Sequence, residues 1–275
     1  MTLTPRPCGF VTTCLVSAAQ TLLRLWHHRV PWYLLGVGCL LVGASWLLAA
    51  RAHERIDRDD LFCIVTWWLH GTVLMPWLTL WLGVHVVHGS LEDRTFQYLF
   101  LRPVGRVPLL LGRFAAVAFA GVLLAVAGTA ALAAGFALAG RADGSSVGPA
   151  ALVFARTLAA GAVAYAAAAM LFATWFRRPL VWAAFFVVGL QQLTANLDVS
   201  AGLRQLTITD PMRRMVFDGL EPDARLADAL WPAEPGFPLD LVGQPLLDLG
   251  WITAVCLAIA IVAWRCSEYD ARPRD

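Results

Sequence analysis

Six apolar segments of this 275-residue chain are each long enough to cross a bilayer, whose hydrocarbon core of about 30 Å needs about 20 helical residues. They run from about Trp32 to Ala50, from Leu61 to Val87, within Leu109 to Ala139, within Pro149 to Phe176, from Pro179 to Leu197 and from Leu247 to Trp264. Composition agrees. Apolar residues make up 59% of the chain and charged residues 15%, whereas a soluble domain has roughly 45–50% and 25%. A core of this size does not hide so much apolar surface, so the excess needs a second apolar medium. A disordered chain and a soluble enzyme are both excluded as fold classes. The second and third segments exceed a perpendicular crossing and should tilt, kink or protrude, with Pro76 as the kink site of the second.

Arginines in the flanks set the expected orientation. The chain has no lysine. With the amino terminus inside, the cytoplasmic flanks hold Arg6, Arg24, Arg29, Arg94, Arg102, Arg106, Arg113, Arg177, Arg178, Arg265, Arg272 and Arg274. The short outer flanks hold Arg51, Arg55, Arg58, Arg141 and Arg156. Both termini are therefore expected in the cytoplasm. The reading is an all-α polytopic membrane protein with six transmembrane helices. Residues 1–31 form a cytoplasmic amino terminus whose interfacial helix carries Leu15, Leu22, Trp26 and Val30 at helical spacing. Residues 32–198 hold the first five crossings and an inner loop at 88–108. Residues 199–246 are extracytoplasmic, 247–265 the sixth crossing and 266–275 a cytoplasmic tail.

In the outer segment, Asp210 and Pro211 read as a cap and first helical position. Met212, Met215, Val216 and Leu220 make an apolar stripe, and Gly219 a stop. The expected object is a small helical cap over the bundle, with a second short helix from Pro222 through Leu230. The spans Ala115 to Gly140 and Ala150 to Ala169 are built from alanine and glycine, which let helices approach closely in lipid.

No span carries Asp or Glu near its middle, which argues against a proton-coupled carrier and an intramembrane metal enzyme. His85 and His88 share a helix face, explained by the headgroup boundary, and His70 lies on the same span. Gln191, Gln192 and Asn196 place amides in the outer half of the fifth span, where they serve interhelical hydrogen bonds or line a polar path. The scattered cysteines form no CxxC pair and read as buried thiols. No GxxxxGK[ST] loop occurs, and no nucleophile elbow. The net charge of +2 gives no reason to expect a nucleic-acid partner. The chain is therefore expected to be no enzyme and to hold no cofactor or metal of its own.

The inner loop carries the most information. Ser90 is placed to cap a helix with Glu92 and Asp93 in its first turn. Leu91, Tyr98, Leu99 and Leu101 give that helix an apolar side. Arg102 before Pro103 ends it, and Gly105 allows a turn before Pro108 opens the next helix.

This loop resembles that of the ABC-2 type transporter permeases, in which an acidic residue is followed by Gly-Thr, a Leu-Leu-like pair, a Pro-x-x-Arg turn and Gly-Lys or Gly-Arg. The matching positions are Glu92, Arg94-Thr95, Leu99-Phe100, Pro103 to Arg106 and Gly112-Arg113. Arg94 stands where glycine is usual. The resemblance implies the membrane half of an ATP-driven transporter, an exporter, in the bacterial inner membrane. ATP and Mg would be bound by a separate ATPase subunit, docked on Leu91, Glu92, Asp93, Arg94, Thr95, Leu99, Pro103 and Arg106. A second permease chain, identical or related, would complete the pathway, with membrane lipids around it. By the same route Gln191, Gln192 and Asn196 become translocation-path residues. A secondary carrier and a non-transporting scaffold are the alternatives.

Overall fold

The computed structural model describes residues 9–28, 30–51, 58–92, 105–139, 147–191, 207–220, 226–227, 230 and 244–266. Among these residues there is helix and no strand. The elements are α1 (Phe10–His28), α2 (Val30–Arg51), α3 (Arg58–Val65), a π-helical stretch π1 (Thr66–Leu74) leading into α4 (Met75–Glu92), α5 (Arg106–Ala139), α6 (Val147–Trp175), α7 (Pro179–Ala184) leading into a second π-helical stretch π2 (Phe185–Gln191), α8 (Thr209–Leu220) and α9 (Pro245–Cys266).

Among the described residues, four helices are long and apolar enough to cross a membrane: Asp59–Val87, Arg106–Ala139, Val147–Trp175 and Pro245–Cys266. Gly36–Leu48 of α2 and Pro179–Gln191 are shorter apolar helices. The all-helical, multi-span reading holds, and this measure accounts for four of the six expected crossings.

The expected break at Pro76 falls just past π1. Proline has no N–H to give a carbonyl behind it, and the amide of Met75, one residue earlier, already bonds His70 O five residues back. The helix is thus wound wide where proline unsettles its ladder.

α6 is the centre of the bundle, packed by α4, α5, α7, α8 and α9. In its most apolar stretch 72% of residues are buried, against 11% in α9 at the periphery. Alanines 162, 164 and 166–169 are all buried. Small residues bring the backbones together: Gly121 lies against Thr79 and Ala162, and Gly83 against Ala169. The alanine- and glycine-rich spans therefore pack on one another within the chain. At the end where α5 meets α6, Phe62 sets its ring edge-on to Phe136 at 5.5 Å and to Phe154 at 6.2 Å.

α1 packs along the start of α5. Ser17, Thr21 and Leu25 are buried, while Leu15 and Trp26 are exposed. Ser17 Oγ donates to Leu109 O at 3.1 Å, and Gly112 sits under Cys14 and Ser17. Ser45 of α2 in turn faces Gly135. α1 and α2 therefore follow α5 in the same direction, one after the other. Leu15 and Trp26, of the apolar set that the interfacial reading turns to lipid, face away from α5.

The inner loop departs in one detail. α4 runs through Ser90 to Glu92, and α5 already begins at Arg106, two residues before Pro108. Of the cysteines described, Cys63 is buried, Cys14 and Cys256 are half-buried, and Cys39 and Cys266 are exposed, so the expectation of buried thiols holds for one of them. His85 is exposed and stacks on Trp81 at 5.6 Å.

Candidate functional site

Gln191, at the end of π2, is the one predicted path residue inside the described set; Gln192 and Asn196 lie outside it. Its side chain is buried. The amide oxygen Oε1 accepts from Tyr165 Oη at 3.0 Å and from Thr209 Oγ1. It joins π2, α6 and α8 at a single atom, an interhelical use of the amide.

α8 brings charge to this place. It begins at Thr209, two residues before the predicted first position Pro211, and Thr207 does the capping in place of Asp210: its Oγ1 accepts from the Asp210 amide at 3.3 Å. The Asp210 carboxylate is turned along the helix to Arg214, one turn later. Arg214 also reaches Asp248 in the first turn of α9, 3.4 Å away. The Asp210 and Arg214 side chains are only 8% and 10% exposed, and Asp248 is 44% exposed. Arg213 is buried as well. The predicted stripe is real, with Met212, Met215 and Val216 all buried.

Where α8 lies is the larger finding. Met212 sits over Gly161 and Gly219 against Val153, while Thr209 meets the Gln191 oxygen that Tyr165 also holds. α8 therefore runs antiparallel to α6, alongside it. At 1.5 Å per residue, Tyr165 is about 27 Å from the Val147 end of α6 and about 15 Å from the Trp175 end. The foot of α8 is thus deep in the bundle, not on top of it as the cap reading expected. A twelve-residue helix is too short to announce itself as a membrane element, and the second carboxylate on Arg214, Asp248, lies 34 residues further along the chain. Further along, Leu226 and Leu230 are buried in helical positions.

A second polar group lies between π1 and α5. His70 is buried in π1 with its ring over Gly128. Its Nε2 meets Ala125 O at 3.1 Å, a carbonyl that also accepts from Thr129 Oγ1 at 2.8 Å. A carbonyl only accepts, so Nε2 carries the proton and Nδ1 is a bare acceptor. Thr66, Thr79 and Thr157 are buried too. His70 was visible as a histidine within an apolar span, which is the usual mark of function there; Tyr165 and Thr209 carried no such mark. Tyr165→Phe is expected to cost about 1 kcal/mol of stability, the net value of one hydrogen bond, read as a lower unfolding midpoint of the purified protein. An unchanged midpoint would mean that Thr209 alone satisfies the amide.

Leu91 and Glu92 close α4, and Arg106, exposed, opens α5. Asp93, Arg94, Thr95, Leu99 and Pro103 lie outside the described residues.

No curated protein matches the chain. The family described as ABC-2 family transporter protein matches residues 23–192, from within α1 to just past π2, more than half of the chain. With its long apolar helices, the chain is a multi-pass membrane protein and belongs to the ABC-2 transporter family.

Proposed function

We propose that this chain is the permease subunit of an ABC exporter whose ATP, Mg and hydrolytic site belong to a separate ATPase subunit. The observation that carries the reading is the extent of the family match, which takes in the whole segment between α4 and α5 together with both helices. In this reading the ATPase grips Leu91, Glu92, Asp93, Arg94, Thr95, Leu99, Pro103 and Arg106. Closure of the ATPase dimer then pushes on α4 and α5, which pack directly on α6, and the bundle answers by rigid-body movement. A second permease copy or a relative completes the path. α2 and the helix through π2 supply the first and fifth of six crossings, both termini are cytoplasmic, and the membrane is the bacterial inner one. The chain itself catalyses no reaction.

Reconstituting the chain with its ATPase tests this. Wild type should give ATP-dependent flux, and Glu92→Arg with Asp93→Arg should abolish it and weaken co-purification of the ATPase. Flux driven by an ion gradient without ATP would indicate a carrier, and binding without flux a scaffold. Normal flux in the double variant would sink the docking assignment.

A further inference from the structure

A threonine inside a helix has a ready partner in the carbonyl four residues back. Thr21, Thr72, Thr129, Thr174 and Thr253 all donate to it. Thr66 does not. It opens π1, it is buried, and its Oγ1 has no hydrogen-bond partner among the described residues. One turn on, His70 Nδ1 is in the same condition, because the ring bonds Ala125 O through its other nitrogen. The winding of π1 adds a third group. The Met75 amide is taken by His70 O, so it does not serve Gly71 O. Pro76, the next residue at the π spacing, has no N–H to give. Gly71 is buried, so its carbonyl loses its helix donor inside the bundle.

Three polar groups within residues 66–71 thus ask for partners, and buried polar groups are as a rule paired with protein or with ordered water. Their chemistry is complementary to one kind of guest. Nδ1 and the carbonyl only accept, while the threonine hydroxyl donates or accepts. The guest must therefore bring at least two protons and take one. The surroundings exclude a cation held by carboxylates: π1, α5 and α6 contain no Asp or Glu. α5 covers His70 at Gly128, and α6 covers Gly71 with Leu158.

We propose that π1 is a water-binding site within the membrane span, where ordered water donates to His70 Nδ1 and Gly71 O and accepts from the Thr66 hydroxyl. Water of this kind is what lets a membrane helix keep a proline, by satisfying the carbonyl that the ring frees. It also holds the His70 ring from both nitrogens. Thr79 Oγ1 has no partner among the described residues either, but it faces Gly121 and Ala162. Neither offers a second polar side chain, and one partner does not hold a water. The proposal stands on π1 and not on the transporter reading.

X-ray footprinting of the full-length chain in nanodiscs tests it. The radicals arise from water in place, so a buried side chain is oxidised only where water is bound beside it. His70 should be oxidised, while Met170, equally buried and of a readily oxidised type, should stay protected. Protection of His70, or oxidation of Met170 to the same extent, overturns the proposal. A second measurement turns on a sign. Removing a hydroxyl that is buried without a partner stabilises, whereas removing one bonded to water destabilises. Thr66→Val should therefore lower the unfolding midpoint by about 2–4 °C, the shift for one hydrogen bond in a chain of this size. Thr79→Val should leave it unchanged or raise it. An unchanged or raised midpoint in Thr66→Val, or an equal loss in Thr79→Val, overturns the proposal. If Thr66→Val does not fold, the footprint of the wild-type chain decides.

Discussion

Replacing Arg214 by methionine is expected to destabilise the protein by about 3–5 kcal/mol, the range found when one partner of a buried ion pair is removed. The substitution leaves Asp210, 8% exposed, as a buried carboxylate without the Arg214 guanidinium bonded to it. Most of the loss comes from that stranded charge and little from the missing attraction. Arg214→Met combined with Asp210→Leu should therefore recover most of it, because well-packed apolar residues replace a buried pair at little net cost. Unfolding midpoints of the purified variants measure both effects. If the double variant is as unstable as the single one, the pair contributes through its geometry and the desolvation argument is wrong. Asp248→Asn, at the 44%-exposed end of the network, should cost well under half as much.

Gly83→Ala and Gly161→Ala are expected to part company although the chemical change is the same. A Cβ at Gly83 would fall on the Cβ of Ala169, an atom fixed to the α6 backbone, with Val117 Cγ1 and Met170 Cε both 3.4 Å away. Only movement of α4 away from α6 makes room, so a loss of about 1–3 kcal/mol is expected. At Gly161 the obstacle is the Met212 thioether, which has three rotatable bonds and can swing aside. That substitution should cost less than about 1 kcal/mol, part of it returned by the better helix propensity of alanine. Gly36 and Gly38, with nothing within 4 Å, are the controls and should be neutral or better. Equal losses at Gly83 and Gly161 would show that the α4–α6 seam is softer than the contact distances imply.

The helices were legible wherever a local signal decides them. Pro179 after the Arg177–Arg178 pair marks the start of α7, and the apolar runs mark α2, α5, α6 and α9 within a few residues. The α8 stripe was legible too, down to Met212, Met215 and Val216. What was not legible is where α8 lies. A short charged helix reads as an outer-surface object, because nothing near Arg214 in sequence reveals Asp248 across the bundle. Gln191 was found as an isolated amide, yet its two donors, Tyr165 and Thr209, come from elements that only the fold brings together. Most of the inner loop's predicted contacts fall in residues 93–104, outside the described set; Arg106 alone is placed with its side chain, at the mouth of α5.

The alanine wall of α6 has a consequence for genetics. Alanine scanning, the ordinary way to map which positions matter, has nothing to remove at 162, 164 or 166–169, so the most crowded helix of the molecule would register as silent. Enlarging substitutions such as alanine to valine invert the experiment. They should give the sharpest phenotypes along the very stretch where a truncation scan reads flat.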